Sequence, residues 1–125
     1  MNEKKKKILA VDDETDILDM LKMRLEANGY EVIAVSDGNS AYEKAKSDLP
    51  DLIILDLMLP GMDGYQVCRL LKFDEKYRRI PVIMLTAKSQ QEDKSWGEKV
   101  GADLYMTKPF DAKELLAKIK ELLGE

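Results

Sequence analysis

Histidine is absent from all 125 residues. Every mechanism that needs an internal imidazole is thereby excluded. Cys68 is the only cysteine. It cannot form an internal disulfide, and its expected place is a small buried apolar position in a reducing compartment. No apolar run approaches the ~20 residues of a membrane span, and no signal-peptide pattern is visible. The expectation is a cytosolic protein without membrane association. Repeats, low-complexity stretches and linkers are also missing. Positive charge is not in excess, since the formal net charge is −4. One basic run, Lys4 to Lys7, reads as a solvated tail, and the acidic remainder argues against direct nucleic-acid binding.

What is present is enough chain for one domain, residues 1–125, able to bury a core without staples. Short apolar runs alternate with helical patterns, the mark of βα units and a parallel sheet. Strands are predicted near 7–11, 31–35, 51–55, 81–85 and 103–106. The run Leu52-Ile53-Ile54-Leu55 is apolar on both faces, as a central parallel strand requires. The more mixed Glu31-Val32-Ile33-Ala34-Val35 suits an edge. Helices are predicted near 15–28, 39–47, 64–73, 90–99 and from Asp111 onward. Ile17, Leu21 and Leu25 fall at helical spacing, and Asn28-Gly29 supplies a stop. Asp111 with Glu114 three residues on forms a capping-box-like start. The helix near 90–99 is weakly anchored: Gln90 to Ser95 are polar, Gly97 lowers its propensity, and Trp96 reads as its anchor. With the chain ending on its last helix, no output domain is expected.

Four polar clusters each follow an apolar run. Asp12 and Asp13 follow the first, Asp56 the third, Thr86 the fourth and Lys108 the fifth. If the runs are parallel strands, three carboxylates, a hydroxyl and an ammonium converge on one rim of one sheet. In open α/β sheets, ligands bind at that rim. The set suits a divalent cation with a phosphoryl group carried on an aspartate. Taken singly, each residue has a plainer reading. Asp12 or Asp13 caps the first helix, Thr86 is structural, Lys108 is a surface lysine and Tyr105 is core. Asp56 is harder to explain away, because an unpaired buried carboxylate is costly.

Asp12-Asp13, Asp56, Thr86-Ala87 and Lys108-Pro109 at successive strand ends resemble the receiver domain of bacterial response regulators. The spans Leu55 to Gly64 and Gly101 to Phe110 carry the resemblance most closely, and it extends over essentially the whole chain. It implies a flavodoxin-like α/β fold with five parallel strands ordered 2-1-3-4-5 and five helices on the two faces. That order belongs to the family; the hydropathy pattern does not yield it. With the first and third strands adjacent, Asp12, Asp13 and Asp56 share a crevice. Three carboxylates there repel unless a cation intervenes, and an all-oxygen donor set fits Mg²⁺.

The resemblance further implies a role for each matching residue. Asp56 is the phosphoacceptor. Asp13 and Asp56 ligate Mg²⁺, Asp12 assists directly or through water, and the Met58 backbone carbonyl is a further ligand. Lys108 pairs with the phosphoryl oxygens, while the Thr86 hydroxyl and Ala87 amide donate to the others. Thr86 and Tyr105 form the switch, and the Lys108-Pro109 bond is cis. Met58 and Lys88 flank the path of the water that hydrolyses the acyl phosphate. Ile17, Met20, Pro109 and Phe110 form a docking surface for the phosphoryl donor. That donor is a sensor histidine kinase or a histidine phosphotransfer protein. The output passes to a protein target through the face of helix four, strand five and helix five. A monomer or a weak phosphorylation-dependent homodimer is the implied assembly.

Other readings compete. A receiver excised from a longer multidomain regulator has the same residues. A flavin-binding module of flavodoxin type wants hydroxyls and glycines after the first strand, where this chain has two aspartates. An aspartate-nucleophile phosphatase usually has a second acid two residues after the nucleophile, where this chain has Met58. An interaction module that keeps the fold without phosphorylation would not need the intact acid set. The expected organisation is a stand-alone receiver, not a conventional enzyme but one that catalyses its own phosphorylation and slow dephosphorylation.

Overall fold

Near-continuous burial along the central strands builds a core on both faces of one sheet. The computed structural model describes residues 5–87 and 101–125. Within them run β1 (Lys7–Val11), α1 (Thr15–Ala27), β2 (Glu31–Val35), α2 (Gly38–Asp48), β3 (Leu52–Asp56) and α3 (Gly64–Lys72). β4 (Val82–Ala87), β5 (Leu104–Lys108) and α4 (Ala112–Leu123) complete the described elements. All strand pairs are parallel, in the order β2-β1-β3-β4-β5. The architecture is the flavodoxin-like fold expected. Four helices are present among the described residues instead of five; the helix predicted near 90–99 lies outside them.

Strand residues sort by parity. Leu9, Val11, Ile53, Leu55, Val82 and Met84 face α2 and α3, meeting Ala41, Ala45, Val67, Cys68 and Leu71. Ile8, Ala10, Leu52, Ile54, Ile83 and Leu85 face α1 and α4, meeting Leu21, Leu25, Leu115 and Ile119. Full burial of each large aliphatic side chain contributes roughly 1.5–3 kcal/mol. β3 is buried throughout, as its two-sided apolar run requires, whereas edge strand β2 is half-exposed. Cys68 is buried, and burial pushes its thiol up to about 12.

Local signals differ from expectation in three places. β3, β4 and β5 run one to two residues further than predicted, so Asp56, Thr86, Ala87 and Lys108 lie inside the strands. Ladder hydrogen bonding continues past the point where hydropathy stops. Neither Asp12 nor Asp13 caps α1. Glu14 is the N-cap, without a side-chain cap bond, and Asp12 instead accepts from the Glu14 amide. At α4 the Asp111 carboxylate accepts from the Lys113 amide, one residue earlier than a capping box needs. A full capping box occurs at α3, between Asp63 and Gln66.

Candidate functional site

The register brings the strand-end residues together. Val11 pairs with Leu55, so Asp12 and Asp56, each the next residue, emerge side by side. Ala87 pairs with Lys108, and Thr86 with Thr107, placing hydroxyl and ammonium on the adjoining strands. One carboxylate oxygen from each of Asp12, Asp13 and Asp56 lies within 4.8 Å of the others. Asp12 and Asp56 are buried, at 0 and 4 % exposure, while Asp13 is exposed.

Lys108 is the cation inside this cluster. Its Nζ lies 2.8 Å from Asp12 Oδ2, 3.4 Å from Asp56 Oδ1 and 3.3 Å from Glu14 Oε1. Asp12 Oδ1 accepts from the Glu14 amide at 2.9 Å. Asp12 Oδ2 touches Lys108 as a charge without hydrogen-bond geometry, and it is the buried side-chain oxygen left without a hydrogen bond among the described residues. Among the described residues, one ammonium therefore faces an excess of carboxylate. The donor set and this unsatisfied oxygen fit a hard divalent cation, which takes oxygen ligands and would balance the charge.

The titration of the site follows from this packing. Burial, and then the Asp12 charge, push the Asp56 carboxyl up to about 6, against the opposing pull of Lys108 and the Met58 amide. Burial works to lower the Lys108 ammonium, but its close contact with Asp12 and the charges of Asp56, Asp12 and Glu14 outweigh it and hold the pKa above the ordinary value.

Gly64 controls how closely α3 approaches. Its amide donates to the Leu57 carbonyl at 2.8 Å. A Cβ there would stand 2.3 Å from the Asp56 carbonyl oxygen. Only glycine lets α3 start against the end of β3. Pro60-Gly61 is the expected turn, with Gly61 at φ +73°.

Thr86 is buried, and its hydroxyl donates to the Ala87 carbonyl at 3.2 Å. Tyr105 is half-buried against the core on the α2–α3 side, with its hydroxyl 3.4 Å from that of Tyr65. Met58 is 61 % exposed. The Lys108-Pro109 bond is cis. Of the four docking candidates, Ile17 and Phe110 pack partly against the core, Met20 is half-buried and Pro109 is exposed. Lys88 and Trp96 lie outside the described residues. Sequence reasoning did not find Glu14 or Tyr65. Neither has a local pattern to mark it, since each acquires its partner from β5.

A protein-family model for the response regulator receiver domain matches residues 8–120. The chain belongs to that family. This receiver is 49 % identical over 118 residues to the alkaline phosphatase synthesis transcriptional regulatory protein PhoP of Bacillus subtilis, covering 94 % of the chain and 48 % of PhoP. It thus spans about half the length of that curated relative. The chemotaxis response regulator CheY4 of Vibrio cholerae superposes with a TM-score of 0.88 at 34 % identity, covering 95 % of this chain and 99 % of CheY4. The receiver domain of a Pseudomonas aeruginosa sensor histidine kinase, solved with magnesium coordinated in its active-site cleft, gives 0.89 at 33 % identity, with coverage of 98 and 100 %. Receivers are phosphoryl-accepting domains of two-component signalling rather than conventional enzymes. None of this receiver's described helices is long and apolar enough to cross a membrane.

Proposed function

We propose that residues 1–125 form one receiver domain in which Asp56 is the phosphoacceptor. The observation that carries this reading is the three-carboxylate cluster, with its buried Asp12 oxygen lacking a hydrogen bond. Asp12, Asp13, Asp56 and the Met58 carbonyl hold Mg²⁺. The ion, when bound, neutralises the carboxylates and the arriving phosphoryl oxygens.

A sensor histidine kinase or histidine phosphotransfer protein presents its phosphohistidine over α1 and the loop after β5. Ile17, Met20, Pro109 and Phe110 form the apolar ground for that approach. An Asp56 carboxylate oxygen attacks phosphorus, the P–N bond breaks, and the donor imidazole leaves. Lys108, already against Asp56, follows the transferred oxygens as a point charge. The Thr86 hydroxyl and Ala87 amide donate to the remaining oxygens. Thr86 and Tyr105 then move together, changing the output surface that includes β5 and α4. Water later attacks the acyl phosphate, releasing inorganic phosphate and restoring Asp56.

Intact-mass measurement with acetyl phosphate and Mg²⁺ tests the assignment. The wild type should gain one phosphoryl group, labile to acid and base. Equal labelling of Asp56→Asn would show that the nucleophile lies elsewhere.

A further inference from the structure

Tyr65 is a residue that the switch described above does not use, yet it meets the switch aromatic. The two hydroxyls stand 3.4 Å apart, and both rings pack on the same core cluster beneath α2 and α3. Tyr65 is the second residue of α3, and the start of that helix is held from several directions. Gly64 is wedged against the Asp56 carbonyl, and its amide bonds to Leu57. The Asp63 carboxylate accepts from the Gln66 amide at 2.9 Å, while the Gln66 side chain accepts from the Asp63 amide at 3.0 Å. The Tyr65 hydroxyl is therefore presented from a fixed point, set relative to the end of β3.

We propose that Tyr65 is a positioning residue for Tyr105. Its hydroxyl holds the Tyr105 ring in the orientation seen here and so sets the equilibrium on which phosphorylation acts. A contact of 3.4 Å is long for two hydroxyls. It biases the ring without locking it, which suits a group that must turn. The proposal rests on the reading of Tyr105 as the switch aromatic.

Side-chain NMR of the full chain with labelled tyrosine rings gives the test. In the unphosphorylated protein, Tyr65→Phe keeps the ring and removes the hydroxyl. The ratio of the other Tyr105 χ1 orientations to the present one should rise about threefold, the scale of one modest hydrogen bond. In a Tyr105→Phe background, with the ring at position 105 labelled, Tyr65→Phe should change nothing further. An unchanged ratio in the single variant overturns the proposal, and so does an equal shift in both backgrounds. The underlying reading fails differently. If wild type carrying one phosphoryl group by intact mass leaves the Tyr105 resonances unmoved, Tyr105 is not the switch and Tyr65 has no switch to position.

Discussion

Lys108 Nζ lies 2.8 Å from Asp12 Oδ2, closer than it lies to Asp56. The lysine is thus drawn toward the fully buried acid, and the more remote Asp56 carboxylate has the weaker claim on it. A second cation in the cluster would satisfy Asp12 and release Lys108 for phosphoryl oxygens.

Metal affinity should depend on Asp13. It is the exposed member of the cluster and contributes charge without being needed for the core. Calorimetric titration of Asp13→Asn with Mg²⁺ should show at least about tenfold weaker binding, equivalent to about 1.4 kcal/mol. Unchanged affinity removes the metal assignment.

Stability without metal should fall as pH rises from about 4 to 6. The Asp56 carboxyl is raised from 3.8 to about 6 in the fold, first by burial and then by Asp12. The folded state therefore binds this proton more tightly than the unfolded chain. Its contribution is complete below the unfolded pKa and is lost as pH rises through the folded one. Asp56→Asn should be more stable than wild type by roughly 2–3 kcal/mol at neutral pH in metal-free buffer. The gain should vanish near pH 4 and shrink on adding Mg²⁺. Urea unfolding that shows a constant difference across this range would contradict the sign.

Gly64→Ala should destabilise the protein by about 1–3 kcal/mol or more, because the new methyl meets backbone atoms that cannot rotate away. Gly29→Ala is the control. Its φ is +90° but the space around it is open, so its cost should be near 1 kcal/mol. Equal denaturation midpoints for the two variants would mean that α3 can withdraw from the site at little cost.

Acyl-phosphate lifetime should respond to Met58. Its side chain is exposed and offers no group to orient a water, and its expected effect is exclusion. Loss of label from Met58→Asn should be faster than from wild type. Unchanged or slower decay refutes water placement as the limiting factor.

Thr86→Ala should accept phosphate on Asp56 yet fail to shift the amide spectrum of residues 86–108. A hydrogen bond to a charged group contributes roughly 1.5–3 kcal/mol. Reversing an equilibrium from 1:99 to 99:1 needs about 5.5 kcal/mol. Thr86 is therefore necessary in this scheme but insufficient, and Lys108 or a bound target must supply the remainder. The full wild-type set of shifts in the variant would rule out the coupling.

The βα alternation, the faces of the strands and the candidate rim residues were legible in the residues alone. These are local properties: a side chain's face follows from its parity in a strand, and Asp56 ends a run whose burial is written in four successive aliphatic residues. Strand order was legible only through the family resemblance, since periodicity carries no information about neighbours. Which charges meet was fixed by the packing of distant strand ends. Lys108 finds Asp12 and Glu14 because β5 and β1 send their ends to the same rim, although 94 residues separate Lys108 from Glu14. Tyr65 finds Tyr105 because α3 and the Tyr105 side of β5 share one face of the sheet and one core cluster. The capping pattern shows the same division. Asp12 lies two residues before the N-cap Glu14, and its carboxylate meets the Glu14 amide and Lys108, a partner that only the convergence of β5 and β1 on one rim supplies.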